Sequence, residues 1–169
     1  MTTYPLVEIK PAAVQDVPLI LNFIRQLAQY EKLAHEVVAT EALLEQHLFG
    51  PQPKAEVILA YCQRTQDDDK VPVGFALFFH NFSTFLGRPG LYLEDLFVNP
   101  DYRGLGLGKK LLIQLAVIAK ERDCGRYEWV VLDWNTPSRK FYESLGAETH
   151  AEWIIHRVEG QSLDNLASM

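Results

Sequence analysis

The stretch that most restricts the fold runs from Leu91 to Gly125, "LYLEDLFVNPDYRGLGLGKKLLIQLAVIAKERDCG". Its first eight residues, Leu91–Val98, read as a strong strand. From Gly108 the period changes. Leu111, Leu112, Leu115, Ile118 and Ala119 share one helical face until Cys124-Gly125 ends the helix, placed at 108–123. Between strand and helix lies Asp101–Gly108, with glycines at 104, 106 and 108. A chain that passes from strand through such a loop into a long amphipathic helix builds an α/β domain. Main-chain N–H groups and the helix dipole at that junction favour an anion. Glycines there let the backbone come close to a phosphate and adopt positive φ. Arg103 would add a fixed positive charge, with Lys109 and Lys110 nearby.

Spacing excludes two familiar phosphate loops. A nucleotide-hydrolysing loop needs G-x-x-x-x-G-K-[ST], but Lys110 follows Gly108-Lys109 and Arg103 stands where the first glycine would be. A dinucleotide loop needs G-x-G-x-x-G, whereas 104, 106 and 108 give G-x-G-x-G. What remains is Arg103-x-x-Gly106-x-Gly108. A plain chain reversal needs one or two glycines, not three at alternate positions opening a long helix, so anion binding is the favoured reading.

The rest of the chain supplies the layers. A short strand is expected at 7–12, and helices at 17–30 behind Asp16-Val17-Pro18 and at 40–49 behind Thr40. Strands are expected at 55–62, 71–82 and 127–134, and a helix starts at Thr136-Pro137 and closes at Gly146. "THAEWIIHRV" (149–158) reads as a last strand and "SLDNLA" as a terminal helical turn. The order is β-α-α-β-β-β-α-β-α-β, a mixed α/β sheet in one domain spanning 1–169.

Composition narrows the partners. Of 169 residues 48% are apolar and 22% charged, values of an ordinary globular protein with enough chain for a core. The net charge of −6 argues against nucleic acid and is compatible with a cationic small substrate. Apolar runs such as Val73–Phe79 are far too short to span a membrane, and the first ten residues show no secretory pattern. Cys62 and Cys124 have no metal-type spacing, and the five histidines do not cluster, so no metal site is expected. A cytoplasmic location with reduced cysteines is expected.

"RGLGLG" after "LEDLFVNPDY" and before an amphipathic helix resembles the acetyl-CoA loop of the GNAT N-acetyltransferase superfamily. "LAQYEKL" (27–33), "LYLEDLFVNPDYRGLGLG" (91–108), "VLDWNTPSRKFYESLGA" (131–147) and Trp153 together resemble its diamine acetyltransferase family, which acts on spermidine, spermine or thialysine. The resemblance implies a mostly antiparallel central sheet flanked by helices, and acetyl-CoA as co-substrate. It places the coenzyme's pyrophosphate on the N–H groups of Arg103, Gly104, Leu105, Gly106, Leu107, Gly108 and Lys109. It pairs the pantetheine arm with Leu96, Phe97 and Val98, and gives Asn135, Thr136, Pro137 and Ser138 to a second coenzyme segment. It also implies a homodimer.

The strand itself is chemically odd. Alternation places Tyr92, Glu94, Leu96 and Val98 on one face, and Leu91, Leu93, Asp95 and Phe97 on the other. Two adjacent carboxylates in an apolar strand are either satisfied structural acids or functional ones, since an unpaired buried charge is costly. An ammonium is not nucleophilic, so acetyl transfer to an amine wants a base. The resemblance makes Glu94 substrate-binding and the candidate base, directly or through water, with Asp95 shaping the amine site. It makes Tyr142 the acid that protonates the departing thiolate, where the plain alternative is a core tyrosine. Tyr30 and Glu31, otherwise a solvated helix end, match a substrate-contacting pair, and Glu128, Trp129 and Val130 match a further substrate segment. A main-chain N–H near Leu96–Val98 would polarise the thioester carbonyl.

The expected activity is direct acetyl transfer from acetyl-CoA to a primary amine of a small polyamine, diamine or lysine-like substrate such as thialysine. Another small amine, a protein amino group, or a non-catalytic acyl-CoA sensor are the alternatives.

Overall fold

The computed structural model describes residues 4–169. The backbone falls into two compact units, one up to Val130 and one from Val131 to Met169.

The first unit is a five-stranded sheet with helices on both faces. Its strands are β1 (Leu6–Pro11), β2 (Glu56–Gln63), β3 (Val71–Ser83), β4 (Arg88–Val98) and β5 (Arg126–Trp129). They lie in the order β1-β2-β3-β4-β5, antiparallel except for the parallel pair β4–β5. The α/β class and the mostly antiparallel sheet are as expected. Among the described residues no helix is long and apolar enough to cross a membrane.

Helix α1 (Val17–Tyr30) keeps the expected bounds and buries Ile20, Leu21 and Phe23. Pro18 sits in its first turn, where its missing N–H costs nothing. Asp16 does not cap the helix; its carboxylate accepts from the Ala13 N–H at 2.8 Å and braces the preceding turn instead. Thr40 does cap α2 (Glu41–Leu44), accepting from Leu43 N–H at 3.3 Å, and a π-helical turn carries on to Phe49.

The core under α1 joins Ile20 and Phe23 to Val57, Leu59, Phe75 and Phe97. Phe23 stacks on Phe75 at 5.6 Å between ring centres and leans on Phe97 at 5.9 Å. Such a stack has nothing to collapse into. Phe75→Ala is therefore expected to cost about 3–5 kcal/mol, read as a drop in the urea midpoint at unchanged slope. Helix α3 (Leu107–Glu121) covers the other face with Leu107, Leu111, Leu112 and Leu115. Its end places Arg122 over Phe78, which points away from Phe75 and α1.

The second unit holds two helices, α4 (Thr136–Ser144) and α5 (Gln161–Ala167). Two expectations are corrected here. Strand β5 ends at Trp129 rather than reaching 134, and no strand forms at 149–158. A strand needs a neighbour to complete its hydrogen bonds, and this unit contains only helices among its regular elements. Trp153, Ile154 and Ile155 are all exposed. The α4 cap is Asn135, whose side chain accepts from Ser138 N–H at 3.3 Å, and not Thr136 as the sequence implied.

Candidate active site

The register of β4 against β3 decides which carboxylate faces what. Phe79 stands opposite Tyr92, Phe78 opposite Leu93, Leu77 opposite Asp95 and Phe75 opposite Phe97. Between Leu93 and Asp95 the strand carries one residue too many, and Glu94 is that residue. Partners directly across a ladder share a face. Tyr92, Asp95 and Phe97 therefore face α1 together, while Leu91, Leu93, Leu96 and Val98 face α3. Strict alternation had put Tyr92 and Asp95 on opposite sides. The bulge reverses the phase of the strand half-way along, a device that re-aims side chains next to functional sites.

Asp95 consequently lies at the end of α1 rather than in the leucine core. Glu31 is the residue that follows α1, and its field reaches Asp95. Burial, then the charge of Glu94, then that of Glu31 push the Asp95 carboxyl up to about 7. Burial also raises Glu31. No ion pair to Glu31, Glu94 or Asp95 occurs among the described residues. Three carboxylates with no counter-charge make a site that a cation relieves.

Strand β4 also offers an open flank. Its parallel ladder with β5 covers Gly90–Leu93 against Arg126–Trp129 and goes no further, while β4 continues through residues 94–98. There β5 gives β4 no ladder partner, and an unpaired strand flank is what an extended ligand arm joins as an added strand. Phe97 serves through its backbone only, since its side chain is buried in the core.

Directly beyond Val98 the glycine loop begins, and it is pinned before it opens. Asn99 accepts from Asp101 N–H at 3.0 Å, and Arg64 stacks on Tyr102 at 4.2 Å while donating to the Asp101 carbonyl. Then Gly104 (φ +80°) and Gly106 (φ +74°) take left-handed backbone, and Gly106 is the N-cap of α3. A glycine cap has no side chain to satisfy the first turn, and the intrahelical ladder begins only with Lys110 N–H to Gly106 O. The N–H groups of Leu107, Gly108 and Lys109 are left at the helix mouth. A Cβ built on Gly104 or Gly106 meets no atom within 4 Å. The space beside both glycines is thus open, and the N–H donors at the helix mouth suit a pyrophosphate.

Other expected residues are placed differently. Glu128 sits one ladder row from Tyr92, but it accepts from Asn81 Nδ2 at 2.5 Å and is paired with Arg126 at 3.2 Å. It is a braced acid, engaged before any substrate arrives. Trp129 packs beside Tyr127, with ring centres 4.9 Å apart, and Val130 is exposed. Asn81 was invisible to sequence reasoning because only strand register brings it to Glu128, whereas Arg126, two residues before Glu128 on β5, was within reach of simple alternation. Asn135 to Ser138 and Tyr142 lie in the second unit, where Asn135 is buried and Tyr142 half-buried against Phe141. Burial raises the thiols of both Cys62 and Cys124, which disfavours either as a nucleophile.

The description "Acetyltransferase (GNAT) family" matches residues 25–147. The chain is 37% identical to thialysine N-epsilon-acetyltransferase of Bos taurus over 95% of this chain and 97% of that one. It is 34% identical to the L-ornithine N5-acetyltransferase of Arabidopsis thaliana over 92% and 85%. An integron cassette protein from the mobile metagenome of V. cholerae superposes with a TM-score of 0.76 at 29% identity, covering 96% of this chain and 98% of that one.

Proposed function

The chain belongs to the GNAT acetyltransferase family and is an N-acetyltransferase, and from that premise we propose that it moves the acetyl group of acetyl-CoA directly onto a primary amine of a small basic substrate. A lysine-like amino acid such as thialysine, or a diamine or polyamine, is the acceptor class. The observation that carries this is the uncompensated trio of Glu94 and Asp95, on the strand that leads into the glycine loop, and Glu31, at the end of α1. Both named relatives work on the side-chain amine of a basic amino acid, which supports the same class.

The roles follow from the chemistry. The N–H groups of 103–109 hold the pyrophosphate and those of 96–98 align the pantetheine arm and polarise the thioester carbonyl. Bound coenzyme supplies the acetyl thioester. Glu94 and Asp95, with Tyr30 and Glu31, receive the ammonium and take its first proton, and the free amine attacks the carbonyl. Asn135 to Ser138 serve the coenzyme, and Trp129 and Val130 line the acceptor side beside Glu128, which Asn81 and Arg126 brace. Tyr142 gives its proton to the departing thiolate. Tyr142→Phe is expected to lower kcat by about 10²-fold while acetyl-CoA affinity by calorimetry hardly moves. Unchanged turnover would remove Tyr142 from the mechanism.

A homodimer of one GNAT domain per chain, working in the cytoplasm on small molecules and not on nucleic acid, completes the proposal. The function is tested by coenzyme A release from acetyl-CoA with a panel of amines.

A further inference from the structure

Arg103 is the one basic side chain within the glycine loop before the helix, and the motif makes it a natural phosphate ligand. The structure puts it to another use. Its Nε donates to the Val98 carbonyl at 3.1 Å, at the last residue of β4. Its guanidinium lies over the ring of Tyr30, 4.8 Å from the centre, at the last residue of α1. The side chain thus spans from the donor loop to the turn that carries Glu31. A planar guanidinium is suited to this, because it bonds in its plane and stacks through its face at the same time. An ammonium at this position would do one or the other.

We propose that Arg103 is a positioning residue for the acceptor site, tying the α1 end with Tyr30 and Glu31 to the loop that holds the donor. This rests on reading the site as one for acetyl-CoA and an amine. Through Arg103 the acid that follows α1 is held in register with Glu94 and Asp95 on β4. The core packing of Phe23 on Phe97 holds the middle of α1 to β4; Arg103 adds a tether at the end of α1, and loosening it loosens the acceptor half. The donor half keeps its own N–H groups and the pinning by Asn99 and Arg64.

Two measurements test this. In the first, Arg103→Ala and Tyr30→Leu are made singly and together, and urea unfolding gives the coupling between them. A cation–π contact at a partly exposed site predicts a coupling of about two- to five-fold in the folding constant, which falls to almost none when Tyr30→Phe, which keeps the ring, replaces Tyr30→Leu. Additive effects overturn the proposal, whatever the activity. In the second, Arg103→Ala and Arg103→Lys are each expected to raise the amine KM by about five- to ten-fold, with acetyl-CoA affinity within about two-fold of the parent. A phosphate ligand gives the opposite split: Arg103→Ala weakens acetyl-CoA at least ten-fold, Arg103→Lys restores it, and the amine KM stands still. That result also overturns the proposal. Absence of transfer to any amine would instead count against the function, and the unfolding cycle would still decide the role of Arg103.

Discussion

Gly106→Val is expected to lower acetyl-CoA affinity by about two orders of magnitude while leaving the fold in place. Two effects add. Gly106 has φ +74°, where a β-branched residue costs roughly 1–3 kcal/mol. Valine's γ carbons would also stand in the open space beside the N–H groups at the mouth of α3. Gly106→Ala separates these. Its Cβ meets no protein atom within 4 Å, so its effect on stability is the backbone strain alone. Any loss of acetyl-CoA binding beyond that strain measures how closely the ligand approaches. The same pair of variants followed by thermal unfolding and by calorimetry with acetyl-CoA checks both. A valine variant that binds the coenzyme like the parent would show that the pyrophosphate lies elsewhere.

Asp95 carries the other large effect, and it is a matter of pH. With its carboxyl pushed to about 7, transfer to the amine should fall as pH drops through neutrality, because the acid form neither attracts an ammonium nor accepts its proton. Asp95→Asn is expected to lower kcat/KM for the amine by about 10²-fold or more and to remove that acid limb. Glu31→Gln should retain the limb but move it to lower pH, since one of the charges that raises Asp95 is gone.

Stability gives an independent check with a definite sign. Asp95 holds its proton in the folded state up to about 7 but releases it near 3.8 when unfolded. Between those values the folded state binds more protons, so this group's contribution makes stability fall as pH rises across that window. Asp95→Asn should therefore raise Tm at pH 8 relative to the parent and do little at pH 4. A variant that is less stable at pH 8 would mean that the carboxylate is satisfied and structural after all.

What the sequence made legible, and what it did not, divides along local and non-local physics. Helix α1 and the loop-to-α3 junction came through almost residue for residue, because amphipathic spacing and glycine punctuation are local signals. Gly104 and Gly106 of the R-x-x-G-x-G stretch likewise mark the left-handed turns that open α3. The bulge at Glu94 did not come through. Alternation is a property of one strand, whereas a bulge is fixed by how many residues the neighbour offers, and that moved Asp95 from the leucine face to the face of α1. The same reason hid Asn81 as a brace of Glu128, and Tyr30 as the seat of Arg103. Residues 149–158 have strand-like composition but no strand, because composition cannot supply the partner that a ladder requires.

The most direct test of the account is the release of free coenzyme A thiol, followed with acetyl-CoA and a panel of thialysine, lysine, ornithine, spermidine, a short diamine and a neutral-tailed monoamine. Release that depends on the amine, and that favours the basic acceptors over the monoamine, is the predicted result. Tight acetyl-CoA binding with no amine-dependent release from any member of the panel would contradict it, and would make the chain a coenzyme-binding protein without transfer to small amines.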